Sequence, residues 1–541
     1  MKKINLFYVV FILSLILTAV IRLYSLSNIP PALNWDEVSL GYNAFSILET
    51  GKDEWGNTLP LSFKGYGDYK LPGYVYLDVP FIAIFGLNEW GVRLPSAILG
   101  IGFIILISLI LKELTNIHVR SWAIFLGAIS PWTIIISRIA LEAHLALFLT
   151  TLGFYFFLMG LKNPTFLLYS GFSFGMTIFS YNSSRVVTPL LIIALGLLFL
   201  KELKSFKRMV FSSLIIFSLF FAIALPKALL QDSSARYKWT SILDEGAINR
   251  INELRGSSAL PPSLAMVTYN KVTYVVPEVL KNYVLHLDPR FLFLTGGSNY
   301  QFSVPGSGMF YPILAPFFVY GFWVIFKERK KWQFFMVVWL LISVIPAAIT
   351  RDSPHALRSL MMILPVVVIS SIGLDKFVGL FKNKGAFVKL PLIFVLLVNL
   401  YFFWNNYSGE YAKNYSWSWQ YGYKEVVNYI KENGGQYEKI YVTKKYGEPH
   451  EFLLFYMGWK PQQYRNDPNL SRYFRSDWYW VDSFDKYVFV NDWEVVGKVD
   501  RIQGTGDSLL ITSPGNYPDD VKFLKTINFL DGKPAFDIVE I

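Results

Sequence analysis

The chain has 541 residues, of which 53% are hydrophobic and 18% aromatic, and its mean hydropathy of +0.38 predicts an integral membrane protein. The net charge of +11 does not indicate nucleic-acid binding, because the basic residues cluster in short loops between apolar runs. The chain has no cysteine, which excludes a disulfide framework and a thiolate metal site, and its five histidines lie in separate segments, which leaves little room for a zinc site. We expect no cofactor.

An apolar run from Ile4 to about Val20 follows the N-terminal lysines. It is long for a signal peptide and no small-residue cleavage site follows before Arg22, so we expect an uncleaved first helix that enters from the cytoplasm. Further apolar runs approach the roughly 17 to 25 residues of a membrane-spanning helix. They lie near 92–111, 121–137, 141–160, 165–181, 186–200, 209–226, 307–326, 332–350, 356–373 and 388–404, which makes eleven with the first.

The stretch 74–87 is ambiguous, because it contains an acid and a proline and is short for a span. If it does not cross the membrane, the lysine- and arginine-rich loops all lie on the side of the N-terminal lysines. We therefore expect residues 25–91 to form one external loop that contains 74–87 as an interfacial or re-entrant helix. The same count of membrane crossings places residues 227–305 and everything after about Trp404 on the external side of the membrane.

After residue 404 charges become frequent, and a helical pattern near 423–431 alternates with strand-like pieces. The strand-like pieces are 437–442, 487–490 and 508–512. We predict a transmembrane domain over residues 1–404 and a small external α/β domain over residues 405–541.

The segment Asn34-Trp35-Asp36-Glu37 places two adjacent carboxylates about a dozen residues beyond the first apolar run. One interpretation is a helix cap or a solvated loop pair. The other is a site in which a carboxylate acts as general base on a hydroxyl while basic groups hold a phosphate. The adjacent tryptophan and the basic residues expected on the same face favour the site.

Other polar residues lie at predicted external helix ends. Arg138 and Glu142 have helix spacing and form either an ion pair or part of a site. Arg185 follows a run of polar residues that lines a sugar pocket or caps a helix. Arg358 either snorkels to the interface or binds an anion, with His355 on the same helix face.

Three motifs follow one another in the first loop. They are Trp35-Asp36-Glu37, Asp68-Tyr69-Lys70-Leu71-Pro72-Gly73-Tyr74 and Asn88-Glu89-Trp90-Gly91-Val92-Arg93-Leu94-Pro95-Ser96. In this order they resemble the GT-C superfamily of glycosyltransferases, in particular the branch of protein O-mannosyltransferases and lipid A aminoarabinose transferases. The resemblance implies a mostly α membrane protein in the GT-C arrangement. It also implies an inverting, metal-independent transfer of a sugar from a polyprenyl-phosphate carrier on the external face.

The resemblance also implies roles for single residues. The base of the family falls on Asp36, and its phosphate-binding lysine on Lys70, with Asp68 close to the position of a further acid. Arg138 and Glu142 match an arginine and an acid after the third span, and an arginine in a late external loop corresponds to Arg358. The candidate catalytic residues are Asp36, Glu37 and Glu142, and the candidate substrate contacts are Lys70, Asp68, Arg138, Arg185, His355 and Arg358.

The partners expected are a polyprenyl-phosphate-linked sugar, an acceptor that is a protein, a lipid or a glycan, and the lipids of the cell membrane. The alternative function is that of a transporter or flippase of lipid-linked glycans. Transporters often have broken helices in repeated halves and ionisable groups near the midplane. The sequence shows neither feature and has two large external segments, so we favour the enzyme.

Overall fold

The computed structural model describes residues 6–67, 69–227, 240–381, 384–496, 507–519 and 521–541. The predicted contact Asp68 lies outside these residues. The helices up to residue 405 are α1 (Leu6–Leu23), α2 (Trp35–Thr50), α3 (Pro72–Phe85), α4 (Glu89–Leu114), α5 (Ile117–Ile129), α6 (Pro131–Ile136), α7 (Glu142–Gly160), α8 (Phe166–Thr177), α9 (Ser184–Leu198), α10 (Leu200–Leu203), α11 (Lys207–Lys227), α12 (Glu245–Gly256), α13 (Pro262–Thr268), α14 (Lys271–Leu287), α15 (Ala315–Glu328), α16 (Lys331–Ala348), α17 (Ile363–Gly379) and α18 (Gly385–Asn405).

The chain divides into two compact units. The first unit contains Met1–Arg22, Ile98–Ser137 and Glu142–Phe403, and the second contains Leu23–Ala97, Arg138–Leu141 and Trp404–Ile541. The second unit therefore combines the predicted C-terminal domain with the whole of the predicted first external loop.

Within the described residues, six helices are long and apolar enough to cross a membrane. They are Glu89–Leu114, Glu142–Gly160, Leu200–Pro226, Lys331–Ala348, Leu360–Gly379 and Phe387–Asn414. The predicted total of about eleven spans is not confirmed. One reason is visible at Ser130-Pro131, where the extended backbone of Ser130 and the missing amide proton of the proline separate α5 from α6.

The first unit is built from helices, and glycines bring some of them into close contact. A Cβ atom at Gly373 of α17 would lie 1.9 Å from the carbonyl oxygen of Phe317 on α15. A Cβ atom at Gly321 of α15 would lie 2.1 Å from the carbonyl oxygen of Ile369 on α17. The two helices thus approach backbone to backbone, which is a common way for apolar helices to associate in a membrane.

In the second unit, the residues before α3 form a two-stranded antiparallel hairpin. Strand β1 (Phe63–Lys64) pairs with β2 (Tyr69–Lys70), so that Phe63 lies opposite Lys70. The apolar helix α3 follows directly and has 14 residues. It occupies the stretch for which an interfacial helix is predicted.

The C-terminal part of the second unit is an α/β fold, as predicted. Its helices are α19 (Ala412–Asn414), α20 (Tyr423–Asn433), α21 (Pro449–Met457) and α22 (Pro461–Arg465). Its strands are β3 (Lys439–Thr443), β4 (Ser471–Arg475), β5 (Trp478–Phe484), β6 (Tyr487–Val490), β7 (Ser508–Thr512), β8 (Lys522–Asn528) and β9 (Pro534–Glu540). They form one sheet in the order β4-β5-β6-β3-β7-β9-β8, in which β3 runs parallel to β6 and β7.

Candidate active site

The candidate site is built at the N-terminus of α2, in the second unit. The Asn34 side chain accepts a hydrogen bond of 2.9 Å from the amide of Glu37, and the Glu37 side chain accepts one of 3.2 Å from the amide of Asn34. This reciprocal pair is a capping box. The helix-cap interpretation is therefore correct for Glu37, and the cap fixes Asp36 in the first turn of the helix.

Glu37 also forms a buried ion pair with Arg93 of α4. The two side chains are fully buried and meet in a fork, with Nε to Oε1 at 2.8 Å and Nη2 to Oε2 at 2.9 Å. The amide of Ala140 donates to the same Oε1 at 3.0 Å. With both carboxylate oxygens engaged, Glu37 has the geometry of a positioning residue. The sequence predictions do not include Arg93 as the partner of Glu37, although an arginine at the start of an apolar run is itself a signal.

Two buried arginines hold the segment that leads into α2. Arg93 donates to the carbonyls of Leu26, Pro30 and Ala32, and Arg138 donates to those of Tyr24, Ser25 and Ile29. Arg138 is fully buried and lies over the ring of Trp404 at 5.2 Å. Since buried charges must be paired or hydrogen-bonded, these contacts give Arg138 an anchoring geometry. Its role as a substrate contact stays a prediction.

Asp36 and Lys70 are brought together. Lys70 Nζ donates to Asp36 Oδ1, in an ion pair whose lysine side chain is 11% exposed and whose carboxylate is 37% exposed. Lys70 is held at the end of the β1–β2 hairpin opposite Phe63. The carboxylate predicted as the base thus remains accessible beside the ammonium group predicted to bind phosphate.

Residues from the C-terminal part of the second unit complete the surroundings of Trp35. The Gln420 side chain accepts from the amide of Trp35 at 3.1 Å, and Tyr66 donates to its carbonyl at 2.7 Å. Tyr66 in turn stacks on Trp478 at 5.9 Å between ring centroids. These residues fix the backbone next to Asp36, and no local sequence pattern indicates them.

Arg358 and His355 belong to the first unit. Arg358 Nη1 donates to Thr350 Oγ1 at 2.9 Å and to the carbonyl of Arg351 at 2.6 Å. The amide of His355 donates to His286 Nε2 at 2.9 Å. The structure therefore links the segment before α17 to His286 at the end of α14, a residue that the sequence analysis did not select.

Glu142 is the first residue of α7, and Arg185 lies in the first turn of α9. Arg185 donates to Asn182 Oδ1 at 3.0 Å and to the carbonyl of Ile178 at 3.3 Å. The roles of Glu142 and Arg185 stay predictions. In the part of the chain that the structure describes, no three His, Asp or Glu side chains form a group that could hold a metal ion.

Comparisons with known proteins provide further information on the family and the fold of the chain. Residues 70–226 match the family model of dolichyl-phosphate-mannose-protein mannosyltransferases. No curated protein is significantly similar to the chain in sequence.

Three of the solved structures that share its fold belong to two proteins. ArnT from Cupriavidus metallidurans, in the apo state and bound to undecaprenyl phosphate, is similar with a TM-score of 0.53 and 12% identity over 98% of this chain and 97% of ArnT. The oligosaccharyltransferase of Archaeoglobus fulgidus, in complex with zinc and sulfate, is similar with a TM-score of 0.52 and 12% identity over 82% of this chain. The matched region spans only 61% of the oligosaccharyltransferase. The chain is therefore an integral membrane protein with the fold of GT-C glycosyltransferases, as the resemblance in its sequence predicts.

Proposed function

We propose that the protein is an inverting glycosyltransferase that moves a sugar from a polyprenyl-phosphate carrier to an acceptor hydroxyl on the external face of the membrane. The observation that carries this proposal is the contact between Asp36 and Lys70, an accessible carboxylate beside an ammonium group. The undecaprenyl phosphate bound to ArnT and the family matched by residues 70–226 support a lipid-linked donor.

In the proposed reaction Asp36 accepts the proton of the acceptor hydroxyl as its oxygen attacks the anomeric carbon. The bond between that carbon and the phosphate oxygen breaks, and the polyprenyl phosphate leaves with the bonding electrons. Attack from the side opposite the phosphate inverts the anomeric centre. Lys70 stabilises the charge that develops on the leaving phosphate.

Because Lys70 contacts Asp36, the lysine has a second proposed role, which is to release the Asp36 carboxylate when the donor binds. A lysine ammonium carries three donors on a flexible stem, so it can contact a phosphate oxygen while it turns away from the carboxylate. Binding of the donor then draws Lys70 from Asp36 Oδ1 and leaves that oxygen ready to accept a proton.

The proposal also includes the other candidate residues. We assign Glu142 a catalytic role and Asp68, Arg138, Arg185, His355 and Arg358 roles as substrate contacts. The acceptor is a protein, a lipid or a glycan. The N-terminus lies in the cytoplasm and the C-terminal domain outside the cell membrane.

The decisive experiment compares Asp36→Asn with Glu37→Gln in purified protein that is supplied with a panel of polyprenyl-phosphate sugars. Because the amide keeps the shape but cannot take the proton, Asp36→Asn should lower turnover by about 10²–10⁴-fold and still bind the carrier. Asp36 lies in the first turn of α2 outside the capping box, and its ion pair with Lys70 is partly exposed, so the fold should be kept. Near-normal turnover of Asp36→Asn would exclude it as the base.

The alternative function, that of a transporter or flippase of lipid-linked glycans, can be tested separately. Proteoliposomes loaded with a fluorescent lipid-linked glycan report movement of the lipid between leaflets. Translocation that needs no acceptor and produces no transferred sugar would favour the flippase over the enzyme.

A further inference from the structure

A groove of about 630 Å³ lies between α1, α5 and α18, all in the first unit. Its volume is within the range of about 300–1,000 Å³ that is typical of ligand cavities. Its lining is mostly apolar and includes the polar side chains of Ser14, His118, Ser121 and Lys389. The proposed transfer reaction uses none of them.

Contacts at both ends show that α1 and α5 run in the same direction, and α18 ends beside α1 while Lys389 near its start lines the groove. The guanidinium of Arg120 lies 4.1 Å from the ring centre of Phe7, which joins the N-terminal ends of α5 and α1. Arg22 donates to the carbonyl of Ala128 at 3.1 Å, which joins their C-terminal ends. The rings of Tyr24 and Trp404, 6.3 Å apart, place the end of α18 beside the end of α1.

The groove is polar at the N-terminal ends of these helices and apolar beyond them. His118 and Ser121 belong to the first turns of α5, and Lys389 to the second turn of α18. Lys389 forms no salt bridge with a described acidic residue, and Asp375, which accepts from Asn116 at 3.4 Å nearby, does not line the groove. A lysine, an exposed histidine and the positive ends of helix dipoles together favour an anion at this mouth.

The length of the groove indicates which amphiphile fits. Its lining on α1 extends from Phe7 to Leu17, which is about 15 Å at 1.5 Å per residue. This is half of the roughly 30 Å thickness of the hydrocarbon core. The groove thus has the depth of one leaflet, whereas a polyprenyl chain is much longer than one leaflet is deep.

We propose that the groove is a binding site for an anionic diacyl phospholipid, whose headgroup phosphate contacts Lys389 and His118 and whose acyl chain lies between α1, α5 and α18. The site is independent of the proposed transfer reaction. The three helices are far apart in sequence. The bound lipid therefore connects α1 with α18, because it contacts both of these helices and α5.

The test uses the full-length protein in detergent, with phosphatidylglycerol and phosphatidylcholine of identical chains as probes. Native mass spectrometry should show preferential retention of phosphatidylglycerol by about tenfold. Lys389→Gln should abolish the preference, and Lys389→Arg should keep it. The matched control is Lys384→Gln, which removes an exposed lysine just before α18 that does not line the groove and should leave the preference unchanged.

A second variant tests the acyl chain separately. Leu13 lines the groove and is 60% exposed, so Leu13→Trp should be tolerated by the fold while it fills the groove and weakens retention of both lipids. Equal retention of the two lipids by the wild type, or a preference that survives Lys389→Gln, would overturn the proposal. Displacement of phosphatidylglycerol by an equimolar polyprenyl phosphate would assign the groove to the carrier instead.

Discussion

Two adjacent acids at the start of α2 have different surroundings. Glu37 is buried against Arg93 and closes the capping box, whereas the Asp36 side chain is 37% exposed and forms its ion pair with the ammonium group of Lys70. Burial therefore distinguishes a carboxylate that is held inside the protein from one that remains accessible. Burial also distinguishes their two basic partners, because the Arg93 side chain is fully buried whereas that of Lys70 is 11% exposed.

Lys70→Gln should impair binding of the donor more than it impairs folding. The Lys70–Asp36 pair is partly exposed, and such pairs contribute little to stability. We expect the apparent Michaelis constant for the polyprenyl-phosphate sugar to rise about tenfold or more, with a nearly unchanged melting temperature. A misfolded variant whose remaining active fraction binds donor normally would show that Lys70 is a structural anchor.

Arg93→Met should, in contrast, impair folding more than it impairs binding of the donor. It leaves the Glu37 carboxylate buried without its partner, and breaking a buried ion pair typically costs about 3–5 kcal/mol. The protein should express poorly or melt at a clearly lower temperature in detergent. Recovery of much of that loss in the double variant Arg93→Met/Glu37→Met would identify the unpaired charge as the cause, and no recovery would contradict it.

Arg358→Gln tests the late arginine on its own. If Arg358 contacts the lipid-linked phosphate, the apparent Michaelis constant for the donor rises while that for the acceptor stays the same. Its contacts with Thr350 and Arg351 provide the alternative. A drop in melting temperature with unchanged donor affinity would mean that Arg358 only anchors the turn before α17.

At the level of elements, the close contact between α15 and α17 can be tested with two glycines of one helix. A Cβ at Gly373 would lie 1.9 Å from a carbonyl oxygen of α15, whereas a Cβ at Gly379 meets nothing within 4 Å. Gly373→Ala should lower stability by about 1–3 kcal/mol, as overpacking does. Gly379→Ala should be neutral or slightly stabilising, since alanine favours helices. Similar melting temperatures for both variants would contradict the tight contact.

The elements that sequence predicts well are those with a local cause. Hydrophobic runs give the helices, the period of the residues near 423 gives α20, and short apolar runs between polar residues give β6 and β7. The capping box was also readable, because Asn34 and Glu37 have the required spacing. The pairing of Glu37 with Arg93 was not, since the two residues are 56 positions apart and meet only through the tertiary fold.

At the scale of the molecule, the topology can be tested by cysteine labelling, because the natural chain has no cysteine. Lys533→Cys in the C-terminal domain should react with an impermeant maleimide added to intact cells, since the Lys533 side chain is 80% exposed. Ser205→Cys, in the exposed turn before α11, should react only after lysis. The reverse pattern would contradict the predicted orientation.

The second unit should lose stability as the pH rises. Burial raises the pKa of Glu54 to about 7 and that of Glu448 to about 7, from a usual value of 4.5. The folded state therefore binds more protons than the unfolded state between about pH 4.5 and pH 7, and the free energy of unfolding falls across this range. His450, whose pKa burial lowers to about 3, acts in the opposite direction, and Lys444 and Arg472 are the neighbouring cations.

Glu54→Gln tests this effect, because the amide cannot ionise and the contribution of His450 is unchanged; burial and the neighbouring Glu54 also raise the pKa of Glu451, whose contribution changes in the same variant. The fall in melting temperature between pH 5 and pH 7.5 should be smaller than in the wild type. Glu432→Gln, which alters an exposed acid of the same unit, is the control and should keep the wild-type slope. Identical slopes for wild type and Glu54→Gln would contradict the assignment.

The contacts around Trp35 also have a consequence for biosynthesis. Its backbone amide is held by Gln420, 385 positions later, and Trp478 emerges later still. At about 5–20 residues per second, a ribosome needs about 20–90 s to extend the chain from Trp35 to Trp478. During that interval the first loop lacks its final neighbours, so the segment around Trp35 and Asp36 reaches its described surroundings only near the end of translation.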